Sequence, residues 1–145
     1  MASGAAGMTM GRDDAVALLR ENGIAPTAQR VDIAAVLLAR AHHVCAEDVH
    51  RMLFQHGTPV SRATVYNTLG LFARKGLVRE LVVDSGKVLY DSNTASHDHL
   101  YDVDTGELTD IEPGAVAVDA LPSLPVGTRV ERVEVVIRVR RSRPA

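Results

Sequence analysis

Ser61-Arg62-Ala63-Thr64-Val65-Tyr66-Asn67-Thr68-Leu69-Gly70-Leu71-Phe72-Ala73-Arg74-Lys75-Gly76 is the stretch on which the fold turns. Ser61 is a residue type that caps a helix, and Gly76 is one that ends it, so a helix is predicted from Arg62 to about Lys75. Val65, Leu69 and Phe72 fall at i, i+4 and i+7 and form the buried stripe. At about 100° per residue, Ala63, Asn67, Gly70 and Arg74 point away, with Tyr66 on the flank. That outer face is slim, polar and partly cationic. Its small residues let it sit deep in a DNA major groove, with Tyr66 and Asn67 in reach of base edges. Taken alone, the same face is also what an ordinary solvated helix presents.

The flanking sequence narrows the choice. Upstream, Asp13–Glu21 reads as a helix with Ala15, Val16, Leu18 and Leu19 on its buried side, stopped by Asn22-Gly23. Thr27 is the expected cap of a second helix, which carries Val31, Ile33, Ala34, Val36, Leu37 and Leu38 and ends near residues 40–43. A third begins near Cys45, with Glu47 and Asp48 in its first turn, where the helix dipole favours carboxylates. Gly57-Thr58-Pro59 breaks it. Downstream, Leu77–Val83 and Lys87–Asp91 are β-rich runs joined by Asp84-Ser85-Gly86, a hairpin signal. Three helices, a groove-sized fourth and a hairpin make a winged helix-turn-helix. On the wing, Arg79 and Lys87 are placed to meet phosphates.

Composition supports this only weakly. The 145 residues carry a net charge of −2, so charge alone does not announce a nucleic-acid binder. Residues 1–91 hold 10 Lys/Arg against 9 Asp/Glu, and residues 92–145 hold 6 against 9, so what basic excess there is lies in the first half. No apolar run approaches the roughly 18 residues that span a bilayer. No basic start or apolar stretch marks a signal peptide, so the expected location is the cytoplasm, with no membrane partner. The single Cys45 excludes an internal disulfide and any structural zinc held by four cysteines within one chain.

The second half opens on Ser96-His97-Asp98-His99-Leu100. In an extended segment His97 and His99 share one side and Asp98 faces the other. Leu100–Val103 and Glu107–Ile111 read as strands around Asp104-Thr105-Gly106. Pro113 to about Leu121 reads as a short helix, and Arg129–Arg141 alternates as a strand. So small a unit buries little apolar surface alone, and a homodimer sharing it is expected. The fold class is α+β: a winged-helix DNA-binding domain plus a small C-terminal α/β dimerisation domain. The expected divisions are a flexible arm at 1–11, the winged helix at 12–91, a hinge at 92–96 and the dimerisation domain at 97–145.

Pro26-Thr27-Ala28-Gln29-Arg30, His42-His43-Val44-Cys45-Ala46-Glu47-Asp48, Ala63–Leu69 and Ser96–Leu100 together resemble the ferric uptake regulator family, in order and in register from Asp13 to Arg141. The resemblance implies a dimeric winged-helix repressor whose DNA affinity is set by a metal. Val83–Lys87, Tyr90–Asn93, Glu107–Glu112 and Val135–Arg140 are most similar to the iron response regulator branch. That likeness implies control of iron homeostasis genes, with haem as a further effector. The family's regulatory metal positions correspond to His43, Asp91, His97, His99 and Asp110. Three imidazoles and two carboxylates without a thiolate suit one Fe(II), Mn(II) or Zn(II) per subunit. His50 and His56 are read as surface residues and His42 as a neighbour of the site.

Departures from the family pattern matter too. The Cys-x-x-Cys of many relatives is replaced by Asp102 and Thr105, which removes the structural zinc site. Three successive histidines are typical of the iron response branch, and here Asp98 takes the middle position. Cys45 lacks the following Pro of a haem motif. Asp98 is kept as a candidate ligand of a second site. The expected DNA-contacting residues are Arg30, Ser61, Arg62, Thr64, Tyr66 and Asn67, on a palindromic operator that matches a two-fold dimer. A catalytic metal would need an open position and a nearby acid–base set, which the sequence does not supply, so no enzyme is expected. Peroxide sensing through oxidation of a ligating histidine, or regulation of iron, manganese or zinc uptake, are the alternatives within the family.

Overall fold

The computed structural model describes residues 10–39, 43–84 and 86–143 of the chain. Most of the expected N-terminal arm, Arg40, Ala41, His42 and the Ser85 turn position lie outside the described residues. The chain divides into two compact units, Met1–Thr94 and Ala95–Ala145.

The first unit carries four helices and a three-stranded sheet: α1 (Arg12–Glu21), α2 (Ala28–Leu37), β1 (His43–Val44), α3 (Ala46–Gln55), α4 (Arg62–Arg74), β2 (Arg79–Asp84) and β3 (Lys87–Asp91). Three of the helices stop the same way. After α1, α3 and α4, Gly23, Gly57 and Gly76 take positive φ of 72°, 74° and 79°, a region open to residues without a Cβ. The next residue then donates back to the helix: Ile24 N–H to Leu19 O at 2.9 Å, Thr58 N–H to Leu53 O at 3.0 Å and Leu77 N–H to Phe72 O at 2.9 Å. These closures satisfy carbonyls that would otherwise be orphaned. Starts follow the sequence as well. The Thr27 and Ser61 hydroxyls accept the N–H groups of Arg30 and Thr64 at 3.4 and 3.2 Å.

Helix α2 is the centre of this unit. Val31, Ile33, Ala34, Ala35, Val36 and Leu37 are all buried, so it is enclosed on nearly every side. Helix α4 adds Val65, Leu69 and Phe72, each with no exposed surface, as its i, i+4, i+7 stripe predicts. Helix α2 ends at Leu37, earlier than residues 40–43, because the chain must turn out to form β1. That two-residue strand was not anticipated. It pairs antiparallel with β3, His43 opposite Asp91, giving the sheet order β1-β3-β2. Strand β2 buries Arg79, Leu81 and Val83 on alternate positions, as a one-sided sheet requires, whereas the central strand β3 buries Leu89, Tyr90 and Asp91 in succession.

The second unit is a sheet of β4 (Asp98–Asp102), β5 (Leu108–Ile111) and β6 (Val136–Val139) in the order β5-β4-β6. Strand β4 runs antiparallel to β5 and parallel to β6. Asp102 fixes the β4–β5 turn by accepting the N–H groups of Asp104 and Thr105 at 2.9 and 3.1 Å, and it also takes the Arg141 guanidinium at 3.0 Å. Its carboxyl is held below the usual range. Burial would raise it, but the Thr105 and Asp104 hydrogen bonds and the Arg141 charge outweigh that.

Two expectations fail in this unit. Residues 113–121 form turns and irregular chain rather than a helix. Pro113 is followed by Gly114 at φ 88°, outside the helical region. Val118 and Leu121 remain exposed, so no apolar face is buried to offset the cost of so short a helix. The last strand is four residues, Val136–Val139, rather than 129–141, because only that piece lies alongside β4.

Candidate metal centre

Each unit brings together its own share of the expected ligands. In the first, pairing of β1 with β3 sets His43 against Asp91, and His43 Nε2 stands 3.2 Å from Asp91 Oδ2. Asp91 is 1% exposed, and its Oδ1 accepts the Asn93 N–H at 2.8 Å. That bond fixes the carboxylate so that Oδ2 faces the imidazole. Arg79, opposite Asp91 on β2, is only 6% exposed. Arg79 is therefore buried beside the carboxylate and does not reach outward to phosphates. The alternation of β2 places Arg79, Leu81 and Val83 on the inner face and Glu80, Val82 and Asp84 outside.

In the second unit, β4 and β5 converge three ligands. His97 Nε2 and His99 Nε2 lie 3.1 and 3.3 Å from the same oxygen, Asp110 Oδ1. Their rings are 4.4 Å apart between centroids. The register puts Asp110 opposite His99, and the two-residue repeat of an extended chain returns His97 to the same side. His97 Nδ1 contacts Ala95 O at 2.5 Å, which leaves Nε2 as the outward nitrogen. Both imidazoles are buried, while Asp110 is 41% exposed on its side chain.

These spacings fit a metal's ligand shell. Ligands about 2.1 Å from one ion stand roughly 3.0 Å apart at an octahedral edge and about 3.4 Å at a tetrahedral one. The observed 3.1 to 3.3 Å separations fall between those limits. Buried imidazoles and a buried carboxylate are costly to keep unless something compensates them. Nitrogen and oxygen donors without thiolate suit Fe(II), Mn(II) or Zn(II). Asp98 has another role: its Oδ1 accepts the Val135 N–H at 3.0 Å and so ties the approach to β6. It does not join His97, His99 and Asp110.

The expected DNA-contacting residues lie on α2 and α4. Tyr66 is 51% exposed and Asn67 is exposed beside it, so both stand free on the outer face of α4. Arg30 and Thr64 are half-buried and line one groove with Thr27, Gln29, Asn67, Thr68, Leu71 and Arg74. Ser61 is engaged as the cap of α4, and Arg62 pairs with Glu47 at 3.5 Å. Arg74 was visible as an outward position on the helix but was not among the expected contacts.

The chain matches the ferric uptake regulator family over residues 21–120. The ferric uptake regulation protein of Pseudomonas aeruginosa is 39% identical over 92 residues, 62% of this chain and 69% of that protein. The chain belongs to the ferric uptake regulator family. It is a metal-responsive transcriptional regulator of that family, of the repressor type. The peroxide operon regulator of Bacillus subtilis is 32% identical over 118 residues, 81% of each chain. Among solved structures, the ferric uptake regulator from Pseudomonas aeruginosa with manganese aligns over 92% of this chain and 100% of that one, with a TM-score of 0.67 and 27% identity. No helix among the described residues is long and apolar enough to cross a membrane.

Proposed function

We propose that this chain represses iron homeostasis genes as a homodimer on a palindromic operator, gated by one divalent metal per subunit. The observation that carries the gating is the convergence of two buried imidazoles on one carboxylate oxygen, within 3.3 Å. His43, Asp91, His97, His99 and Asp110 are its proposed ligands. The two ligand groups belong to different compact units. Along the chain, residues 92–96 separate Asp91 from His97, a stretch of at most about 20 Å. A metal that takes ligands from both ties the sheet of the winged unit to the sheet of the second unit. The free energy of that tie is what couples metal to DNA affinity. When bound, the ion supplies only charge and fixed ligand directions. The chain's own residues hold it and present α4.

The second unit buries few apolar side chains, and Val130, Val133 and Ile137 are exposed, so a second copy is the natural cover for it. The protein acts where the DNA is, in the cytoplasm, and has no catalytic role. Mn(II) is the first ion to test, since a related solved structure holds manganese. Haem is the second effector to titrate, in line with the likeness to the iron response branch.

The test is fluorescence anisotropy of a duplex selected from a random library by the Mn(II)-loaded protein. Binding that falls at least tenfold on chelation supports the reading. Equal binding with Mn(II), Fe(II), haem or chelator refutes the gating. A peroxide-sensing role is the second reading, favoured by the match to the Bacillus subtilis regulator along most of both chains. It requires one added oxygen on the peptide carrying His97 and His99 after aerobic iron loading, read by mass spectrometry.

A further inference from the structure

A groove of about 410 Å³ runs between the N-terminal turn of α2 and the outer face of α4. Thr27, Gln29 and Arg30 form one wall, and Thr64, Asn67 and Arg74 face it. Three features set its chemistry. It receives guanidinium groups from two separate helices. No carboxylate lines it, and neither Arg30 nor Arg74 pairs with a carboxylate among the described residues. Arg62, by contrast, sits 3.5 Å from Glu47. The third feature is Gly70. A Cβ built there would lie 3.3 Å from Arg74 Nη1, so the guanidinium lies back over the bare glycine, one turn towards the start of α4. Helical side chains lean in that direction, and Gly70 leaves room for this one to lie close.

We infer that Arg30 and Arg74 form a two-guanidinium seat for the DNA phosphodiester backbone, with the Arg74 guanidinium lying back over Gly70. This rests on the DNA-binding reading above. The two guanidinium groups stand on facing walls with no carboxylate offsetting either charge, and Arg30 spends only Nη1, on Ala25 O at 3.0 Å, so both keep donors for an anion. A phosphodiester backbone passing alongside a helix in the major groove supplies that anion. Asn67 lies on the same helix face as Arg74, with Tyr66 on its flank, so the seat fixes the register in which they meet base edges. The charge that holds DNA is thus assigned to Arg30 and Arg74, and Arg62 contributes less because Glu47 already offsets it.

The experiment follows affinity of the Mn(II)-loaded dimer for a mixed-sequence duplex against KCl concentration. Each phosphate contact contributes about 0.9 to the slope of log K against log salt. Arg74→Gln and Arg30→Gln are each expected to lower the slope by about 1 per bound protomer. Affinity should fall for every sequence tested. Arg30 is on a different helix from Arg74, so Arg30→Gln reports even if Arg74→Gln folds poorly. Arg62→Gln should change the slope least. Tight binding with unchanged slopes in Arg74→Gln and Arg30→Gln overturns the seat and leaves the DNA-binding reading intact. Failure of the wild-type protein to bind duplex with Mn(II) or chelator overturns both. Loss confined to one sequence makes Arg74 a base reader and also overturns the seat. Thermal stabilisation of the free protein by inorganic phosphate, lost in Arg74→Gln, would give the groove to a small anion instead.

Discussion

Whether one ion joins the two ligand groups is decided by Asp91→Asn and Asp110→Asn, separately and combined. Both replacements keep the side-chain shape and remove one charge. Asp110 is 41% exposed on its side chain, so Asp110→Asn should cost the metal-free protein no more than about 0.5 kcal/mol. Asp91 is buried, but Asn at that position still offers the oxygen that accepts the Asn93 N–H. In wild type, Mn(II) at a hundred times its Kd adds about 2.7 kcal/mol. For a chain of 145 residues that is a melting temperature raised by roughly 8–10 °C. Losing one carboxylate ligand should weaken binding by at least the roughly 10–100-fold seen when only a ligand's supporting partner is removed. At the same Mn(II) concentration a hundredfold loss leaves about 0.4 kcal/mol, which is 1–2 °C.

The double variant then discriminates. If one ion spans both groups, each single change already removes most of the gain, and the double variant loses no more than the whole 2.7 kcal/mol, about the same as either single. If each group holds its own ion, the losses add and wild type binds two ions per chain. The assay is differential scanning calorimetry with and without Mn(II), alongside isothermal titration for stoichiometry. An Asp91→Asn protein that binds Mn(II) as wild type does, while Asp110→Asn does not, refutes the shared site.

Other consequences concern the scaffold. Cys45→Ser should raise stability by about 0.5–1 kcal/mol in urea titrations, because a hydroxyl caps α3 better than a thiol does. Burial would raise the Asp48 carboxyl, but hydrogen bonds from Cys45 and the Arg51 guanidinium bring it below its ordinary value. Its contribution is therefore full above the unfolded pKa of about 3.9 and lost as pH falls through the lower folded value. Urea midpoints of wild type and Asp48→Asn, measured with metal chelated, should differ at neutral pH and converge in acid. Phe72→Ala should cost about 3–5 kcal/mol and abolish DNA binding through unfolding, visible as lost helical circular dichroism.

The first unit was legible because its signals are local and redundant. Thr27 and Ser61 mark starts and Gly23, Gly57 and Gly76 mark stops, and the apolar spacing between them agrees with each boundary. The second unit was less so. Its alternating valines at 129–141 obey a strand's period, yet only Val136–Val139 finds a neighbouring strand. Alternation records what a segment can do, and pairing is settled by a partner the local sequence does not name. The same limit hid β1: two residues cannot display a period, and His43 is fixed by Asp91, 48 positions later. Arg79 was misplaced for a related reason. A cation at the first position of a wing strand reads as outward on composition, but parity with Leu81 and Val83 places it inward.

What the structure adds to the ligands is therefore the order in which their positions are settled. His43 and Asp91 are set by strand pairing inside a unit with a full apolar core. His97, His99 and Asp110 are set by a sheet that buries little else than Tyr101, Leu108 and those histidines. The first pair stands on the better-packed scaffold. The second group sits on the weaker scaffold, where metal binding has more stability to add. Chelation should accordingly loosen the second unit first. Hydrogen exchange would show it as faster exchange at β4 and β5 with α2 and α4 unchanged. Equal acceleration in α2 and β4 would mean that the metal holds the two units as one cooperative body, and would refute this ordering.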